Sequence, residues 1–142
     1  MKRKIVKVIA LTIIICFSTS VNATITDVSI VPSLPTPLDV IFINVLGEEN
    51  TGDVFIVDTD FRQDGMSLEL DISLDVGPFT VVTPWSHTEN IGTLSIGFYD
   101  LTVRTWEESI ETDTYSTSFE VVPEPATILL FTLGGIYLRK RH

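Results

Sequence analysis

The fold of this chain is decided by an unbroken alternation of apolar and polar residues, Met66-Ser67-Leu68-Glu69-Leu70-Asp71-Ile72-Ser73-Leu74-Asp75-Val76. Successive side chains of a β-strand point to opposite faces, so the apolar residues from Leu68 to Val76 all reach one face. A helix would spread the same residues around its whole surface. The stretch therefore predicts a strand with one buried face and one polar face.

Outward from this strand, the segment 24–122 contains six further strand-like runs that Gly, Pro and Asn residues separate. One of them, Leu38–Leu46, is almost wholly apolar, which predicts a strand that is buried on both sides. No run has helical periodicity with caps. Seven strands in about 100 residues, with turns at this spacing, predict a two-sheet sandwich. The other five predicted strands are Ile25–Val31, Val54–Thr59, one within Val81–Ile91, Phe98–Trp106 and Thr114–Val122.

The start of the penultimate strand carries a more specific pattern, in which Gly97 is followed two residues later by an inward-facing Tyr99. This pattern resembles the tyrosine corner of immunoglobulin-like sandwiches. The resemblance implies that the Tyr99 hydroxyl bonds backbone near Leu94–Ile96; the alternative is an ordinary aromatic core residue. The expected fold class is an all-β, immunoglobulin-like antiparallel β-sandwich of about seven strands. An N-terminal signal peptide helix and a C-terminal membrane helix are expected to flank it.

The N-terminal segment 1–23 has the three zones of a secretory signal peptide. Basic residues between Met1 and Lys7 precede the apolar run Val8–Phe17, and the small residues Val21 and Ala23 close the segment. We expect the secretion translocon to export the chain and signal peptidase to cut after Ala23. A permanent N-terminal anchor is the alternative. The single cysteine, Cys16, would leave with this segment, so the exported part has no disulfide and no thiolate ligand.

The C-terminal segment 123–142 also has three zones. Pro123 and Pro125 hold the chain extended, an uncharged apolar run spans 126–138, and three basic residues follow. As a helix the run would be about 20 Å long, against a hydrocarbon core of about 30 Å. Snorkelling of the basic side chains and thinning of the bilayer allow a short span, with the basic end in the cytoplasm.

These zones resemble the PEP-CTERM sorting signal, which occurs on exported proteins of Gram-negative bacteria that make exopolysaccharide. The resemblance covers about twenty residues. It implies recognition by an exosortase, a membrane-embedded cysteine transpeptidase-like enzyme, with cleavage near the Pro-Glu-Pro. The residues concerned are Val122, Pro123, Glu124 and Pro125 for the sorting motif, and Ala126, Leu138, Arg139, Lys140 and Arg141 for the membrane anchor.

Charge separates the chain into the same three parts. The central segment 24–122 holds 18 of the 19 acidic residues but only Arg62 and Arg104 of the nine basic ones, so its formal charge is −16. Such a surface has no basic patch that could neutralise phosphates, which excludes a nucleic-acid partner. It repels anionic lipid at close range and attracts divalent cations.

Two kinds of binding site have candidate residues in the central segment. Asp58, Asp60 and Asp64 fall in a predicted loop between two strands, and acidic loops supply oxygen ligands for calcium. The alternative is a solvated turn with Gly65 at positive φ. Exposed aromatic rings could stack on sugars, for which the candidates are Phe55, Phe61, Trp85 and Trp106.

Catalytic patterns are weak. The one histidine of the central segment, His87, is next to Ser86, but adjacent strand residues face opposite ways, which disfavours a nucleophile–base pair. The many carboxylates do not specify a glycosidase pair. We therefore expect a non-catalytic protein without a cofactor.

The predicted molecule is an exported structural or adhesive protein made of a signal peptide (1–23), an acidic β-sandwich (24–122) and a sorting signal (123–142). Its partners would be the translocon, signal peptidase, the inner membrane, exosortase and exopolysaccharide. Its precursor would place the domain in the periplasm before delivery to the cell surface or extracellular matrix. A carbohydrate- or calcium-binding module is the alternative.

Overall fold

The computed structural model of the chain describes residues 23–50, 52–78, 81–125 and 129. Within those residues the regular elements are seven β-strands, so the all-β prediction is confirmed. The strands are β1 (Thr24–Val31), β2 (Ile41–Glu49), β3 (Val54–Asp64), β4 (Ser67–Val76), β5 (Thr83–Gly92), β6 (Gly97–Glu107) and β7 (Ile110–Val121).

The seven strands form two sheets, with the orders β1-β2-β5 and β3-β4-β6-β7. Paired strands run antiparallel in every ladder except one, since β4 and β6 run parallel. The prediction of a wholly antiparallel sandwich is therefore wrong at this ladder. In an immunoglobulin sandwich the third strand, rather than the fourth, lies beside the sixth, so the strand order of the larger sheet departs from that pattern.

The parallel ladder follows from how the β3–β4 hairpin is placed. Its turn contains Gly65 at a φ of +60°, a conformation that glycine adopts without strain. Strand β4 takes the interior position because its inward residues form a continuous apolar face. Strand β3 lies at the sheet edge, where Phe55 and Val57 remain exposed.

Both sheets contribute to one hydrophobic core. Its buried members are Ala23, Ile25, Val28, Ile41, Ile43, Val45, Leu68, Leu70, Ile72, Leu74, Trp85, Leu94, Tyr99, Leu101, Val103 and Val121. In β2 only alternate residues are buried, and Leu46 is 46% exposed. The prediction that this strand is buried on both sides is wrong, because each sheet of a two-layer fold covers only one face of its strands.

A large aromatic side chain closes one part of the core. Trp85 on β5 is the cross-strand partner of Gly47 on β2 and is only 7% exposed. A Cβ atom added at Gly47 would lie 2.1 Å from Cζ2 of Trp85. The indole ring thus occupies the space that a side chain at position 47 would need.

The two flanking segments lie almost wholly beyond the described ranges. Residues 1–22 of the predicted signal peptide and, apart from Leu129, the predicted membrane helix 126–138 are outside the described residues. The part of the chain that is described contains no helix with the length and apolar character needed to cross a bilayer.

Candidate functional site

The predicted sorting motif begins where the last strand ends. Val121 closes β7 and is fully buried. The N–H of Val122 then donates a hydrogen bond to the carbonyl oxygen of Pro35 at 2.9 Å. The first residue of the motif is therefore attached to the loop between β1 and β2.

That loop has its own hydrogen-bonded turn. The Asp39 carboxylate accepts hydrogen bonds from the Thr36 N–H and the Thr36 hydroxyl, both at 2.8 Å, and the Asp39 N–H donates to the Thr36 carbonyl at 3.0 Å. The backbone bond from Thr36, followed by the hydroxyl bond, lowers the pKa of Asp39. The turn keeps the Pro35 carbonyl in place for Val122.

Beyond Val122 the burial of the motif decreases along the chain. Pro123 and Glu124 are half-buried and have no regular secondary structure, and Pro125 is exposed. The predicted anchor residues Ala126, Leu138, Arg139, Lys140 and Arg141 lie outside the described residues. A segment whose φ angles two prolines fix can be bound by an enzyme at a low entropic cost.

The tyrosine pattern at the start of β6 makes the hydrogen bond that the sequence suggested. Gly97 is the first residue of β6, and Tyr99 is 2% exposed. The Tyr99 hydroxyl donates to the Ser95 carbonyl at 3.0 Å, within the segment Leu94–Ile96. The ring also stacks on Phe119 of β7, with 5.7 Å between the ring centroids. These contacts join the incoming loop to the last two strands.

The three aspartates proposed for calcium do not lie in a loop. Asp58, Asp60 and Asp64 belong to β3, which continues past the predicted end at Thr59. Asp58 and Asp64 are six residues apart on an extended strand, or roughly 20 Å. Asp60 is 3.5 Å from Arg62 in an ion pair. The loop placement is therefore wrong, and no group of three His, Cys, Asp or Glu side chains suited to a metal ion occurs among the described residues.

Both arginines of the domain meet on the outer face of the larger sheet. Arg104 donates to Asp71 at 2.7 Å and to Glu69 at 2.8 Å. Arg62 forms ion pairs with the same two carboxylates. Burial alone would raise the pKa of Asp71, but hydrogen bonds from Arg104 and from the Trp106 indole hold it below its usual value. We call these five residues the arginine network.

Removing the inner arginine of this network is expected to destabilise the domain. Arg104→Ala leaves Asp71, which is 16% exposed, without its best-aligned partner, and should lower the free energy of unfolding by about 2 kcal/mol. Arg62→Ala, at a side chain that is 53% exposed, should cost less than about 1 kcal/mol. Urea unfolding at neutral pH measures both. Equal losses would show that Arg104 has no special role.

A shallow depression of about 530 Å³ lies beside the arginine network. Its lining includes Val57, Asp58, Asp71, Trp106 and Glu108. The Trp106 indole N–H is engaged, because it donates to Asp71 at 3.2 Å. The depression is thus lined by an aromatic side chain and by carboxylates.

The tryptophan proposed for sugar binding and the His–Ser pair considered for catalysis are both placed in ways that do not form a site. Trp85 lies in the core rather than in a groove. His87 Nε2 is 2.9 Å from Glu89 on the same face of β5, and both side chains are partly buried. Ser86 is exposed on the opposite face. His87 therefore pairs with a carboxylate and not with the neighbouring serine.

One acidic pair was missed by the sequence analysis. Glu49, at the end of β2, has no exposed surface, and its Oε2 has no hydrogen-bond partner. Burial raises the pKa of Glu49 to about 7, and the neighbouring carboxyl of Glu107 adds to this. Glu107 Oε1 accepts a hydrogen bond from the Ala23 N–H at 3.0 Å. The alternation of β2, continued through Gly47 to Glu49, was the available signal.

Comparison with known families finds one match. Residues 121–141 match the PEP-CTERM protein-sorting motif. No curated protein and no solved structure matches the chain. The motif implies sorting to the cell surface that depends on exosortase, and it indicates export through a membrane-anchored precursor in a Gram-negative setting. The matched segment starts at Val121, which is still part of β7.

Proposed function

We propose that this chain is a non-catalytic structural or adhesive protein, delivered by exosortase to the cell surface or to the exopolysaccharide matrix. The observation that carries the proposal is the sorting motif that directly follows the last strand. The precursor is held in the inner membrane by its apolar tail, with the acidic domain in the periplasm. Signal peptidase and the secretion translocon act before exosortase.

The charge distribution supports a passive role at a surface. Arg62 and Arg104, the only basic residues between 24 and 122 apart from His87, are both used in the arginine network. Apart from His87, the other charged side chains of the segment 24–122 are therefore all acidic, and a high net charge of one sign keeps copies of the protein apart and in solution. An acidic surface approaches an anionic polysaccharide only when divalent cations or salt screen the repulsion.

An immunoglobulin-like relationship remains part of this proposal. It is supported by the order β1-β2-β5, which corresponds to strands A, B and E of that fold. The hydrogen bond from Tyr99 to Ser95 supports it as well. Surface modules of many kinds share such a sandwich, so the fold supports a role in presentation rather than a reaction.

The sorting proposal is tested by mass spectrometry of the intact protein from cells with and without exosortase. We expect the residues beyond the Pro-Glu-Pro to be absent only when exosortase is present. Glu124→Ala should reduce this processing, because it changes the centre of the motif. Glu120→Ala is the matched control, since it removes the same charge just upstream of the matched segment. Intact C-termini in both strains would contradict the proposal.

A carbohydrate- or calcium-binding module is the second candidate, and the depression beside Trp106 is the observation that favours it. Titration calorimetry with calcium and with the polysaccharide of the producing cell tests it. Binding that is lost in Trp106→Ala or Asp58→Asn would support this candidate over a purely structural role. Heats equal to those of dilution would exclude it.

A further inference from the structure

The buried Glu49 and its neighbour Glu107 lie where the chain enters the fold. The register of β1 and β2 pairs Thr24 with Glu48, which places Ala23 opposite Glu49. The Ala23 N–H donates to Glu107 Oε1 at 3.0 Å, and Ala23 has no exposed surface. The first described residue thus directs its backbone nitrogen at an acidic pair.

The next outward N–H of the same strand also meets a carboxylate. The Ile25 N–H donates to Asp113 Oδ2 at 2.7 Å. The two basic side chains of the domain, Arg62 and Arg104, bind Asp71 in the arginine network on the outer face of the larger sheet. Neither arginine therefore neutralises the carboxylates at the start of β1.

One oxygen of this cluster has no partner. Glu49 Oε1 accepts a hydrogen bond from the Asn50 N–H at 2.9 Å, whereas Oε2 has no partner in the described residues and no exposed surface. A buried carboxylate oxygen without a donor is unfavourable. In the uncleaved chain this cost is met by a proton, because burial and the Glu107 carboxyl raise the pKa of Glu49 to about 7. A cationic donor placed between Glu49 and Glu107 would take the place of that proton and allow both acids to be ionised.

We propose that Glu49 and Glu107 form the binding site for the α-ammonium group that signal-peptide cleavage creates at Thr24. The site is one for a primary ammonium ion, and the processed chain supplies that ion itself. This inference rests on the proposed export, because the ammonium group exists only after the cut behind Ala23.

The geometry suits this exchange. Cleavage removes Ala23 and so empties a fully buried position opposite Glu49. The nitrogen of Thr24 is one residue further along, and consecutive Cα atoms are about 3.8 Å apart. An ammonium group carries three protons where the amide carried one. The Thr24 amide proton points toward β2, on the opposite side from those of Ala23 and Ile25. The cut frees two further N–H directions, and through these the ammonium group can donate to Glu107 and Glu49 once their side chains move into the vacated position.

The sequence offers an unambiguous readout of this site. No lysine occurs between Lys7 and Lys140, so the α-amine is the only primary amine from Thr24 to Arg139. The experiment uses the processed protein, purified from the envelope of a Gram-negative host, with its N-terminus identified by mass spectrometry. It is treated with an acetylating reagent at pH 7, and acetylation of Thr24 is followed by peptide mapping.

We expect the Thr24 amine of the wild-type protein to react about tenfold more slowly than that of Glu107→Gln or Glu49→Gln. Ion pairing should raise the amine pKa by about one unit above the ordinary 7.7–8.0, and one unit is a factor of ten in free amine. Glu120→Gln is the matched control, because it is the same substitution at an exposed position near the C-terminal end of β7, far from Thr24. It should react like the wild type.

A second measurement covers variants that fold poorly. Acetylation of Thr24 should lower the thermal unfolding midpoint of the wild type but leave that of Glu49→Gln/Glu107→Gln unchanged. Equal reaction rates in wild type and variants, with Thr24 at the N-terminus, would overturn the ammonium site and leave export intact. A purified protein that still carried residues upstream of Thr24 would instead overturn the predicted cleavage.

Discussion

Replacement of Gly47 by alanine is expected to destabilise the domain by about 3 kcal/mol, at the upper end of what overpacking costs. The added methyl group would lie 2.1 to 2.6 Å from three atoms of the Trp85 indole. Trp85 is buried at the end of the core and cannot move away without losing its packing. Denaturant unfolding followed by circular dichroism measures the loss.

A double-mutant cycle identifies the cause of this loss. Trp85→Leu removes the ring that meets the new methyl group, so Gly47→Ala should cost at least 1 kcal/mol less in that background. Gly65→Ala is the control. A side chain there would meet open space and only the positive φ would oppose it, so it should cost about 1 kcal/mol in either background. An unchanged stability of Gly47→Ala would contradict the contact.

The second large effect is a fall in the free energy of unfolding as the pH rises. It is expected in a form of the domain in which Ala23 is still present and joined by a peptide bond to the residue before it. The pKa of Glu49 in the folded state is about 7, above the ordinary glutamate value of 4.5. The folded state therefore holds a proton that the unfolded state has released, and stability falls between these two pH values. At about 1.4 kcal/mol per unit, the loss is about 3 kcal/mol.

The Glu49 contribution can be separated from general acidic repulsion by comparing the wild type with Glu49→Gln. The domain is expressed with a short neutral leader joined to Ala23, and urea unfolding is measured from pH 4.5 to pH 7.5. The wild type should lose about 3 kcal/mol more than Glu49→Gln over this range. The lowered pKa of Asp71 acts in the opposite sense, but this loss of stability begins only as the pH falls toward the ordinary aspartate pKa of 3.8 and below. Parallel curves for the two proteins would contradict the assignment.

The sequence predicts β4 and β6 most clearly, because apolar and polar residues alternate regularly in both strands. Leu68, Leu70 and Ile72 are all fully buried, as are Leu101 and Val103 to within 1%. These strands lie in the interior of the larger sheet, where one face meets the core and the other meets water. In such strands the apolar residues of the alternation are the buried ones and the polar residues face the solvent.

The predictions of a loop at residues 58–64 and of wholly antiparallel sheets were wrong, because in both places pairing between strands decides the structure. Residues 58–64 are acidic enough to suggest a loop, yet each β3 residue from Asp58 to Asp64 pairs with β4, and Phe61 packs against the core. The parallel β4–β6 ladder is also set by contacts distant in sequence. The apolar face of β4 predicts burial of that strand, but it does not specify which distant strand pairs with it or in which direction.

The candidate sites are of two kinds, one continuous in sequence and the others assembled from distant residues. The sorting motif is a continuous run of residues, so it could be recognised without any structure. The arginine network and the Glu49–Glu107 pair join residues that are far apart in the chain, and each required the strand register to be known. Glu49 in particular lies beyond the predicted end of its strand at Leu46, whereas β2 extends to include it.

The hydrogen bond from Val122 to Pro35 limits the length of chain that is free between the folded domain and the apolar run. Only residues 123–125 separate this last attachment from the apolar run that begins at Ala126. Three extended residues reach at most about 10 Å. In the proposed precursor, an enzyme that cuts in this gap would have the folded domain on one side and the lipid headgroups on the other. Lengthening the spacer with Gly-Ser inserts should therefore speed cutting if steric access limits the reaction.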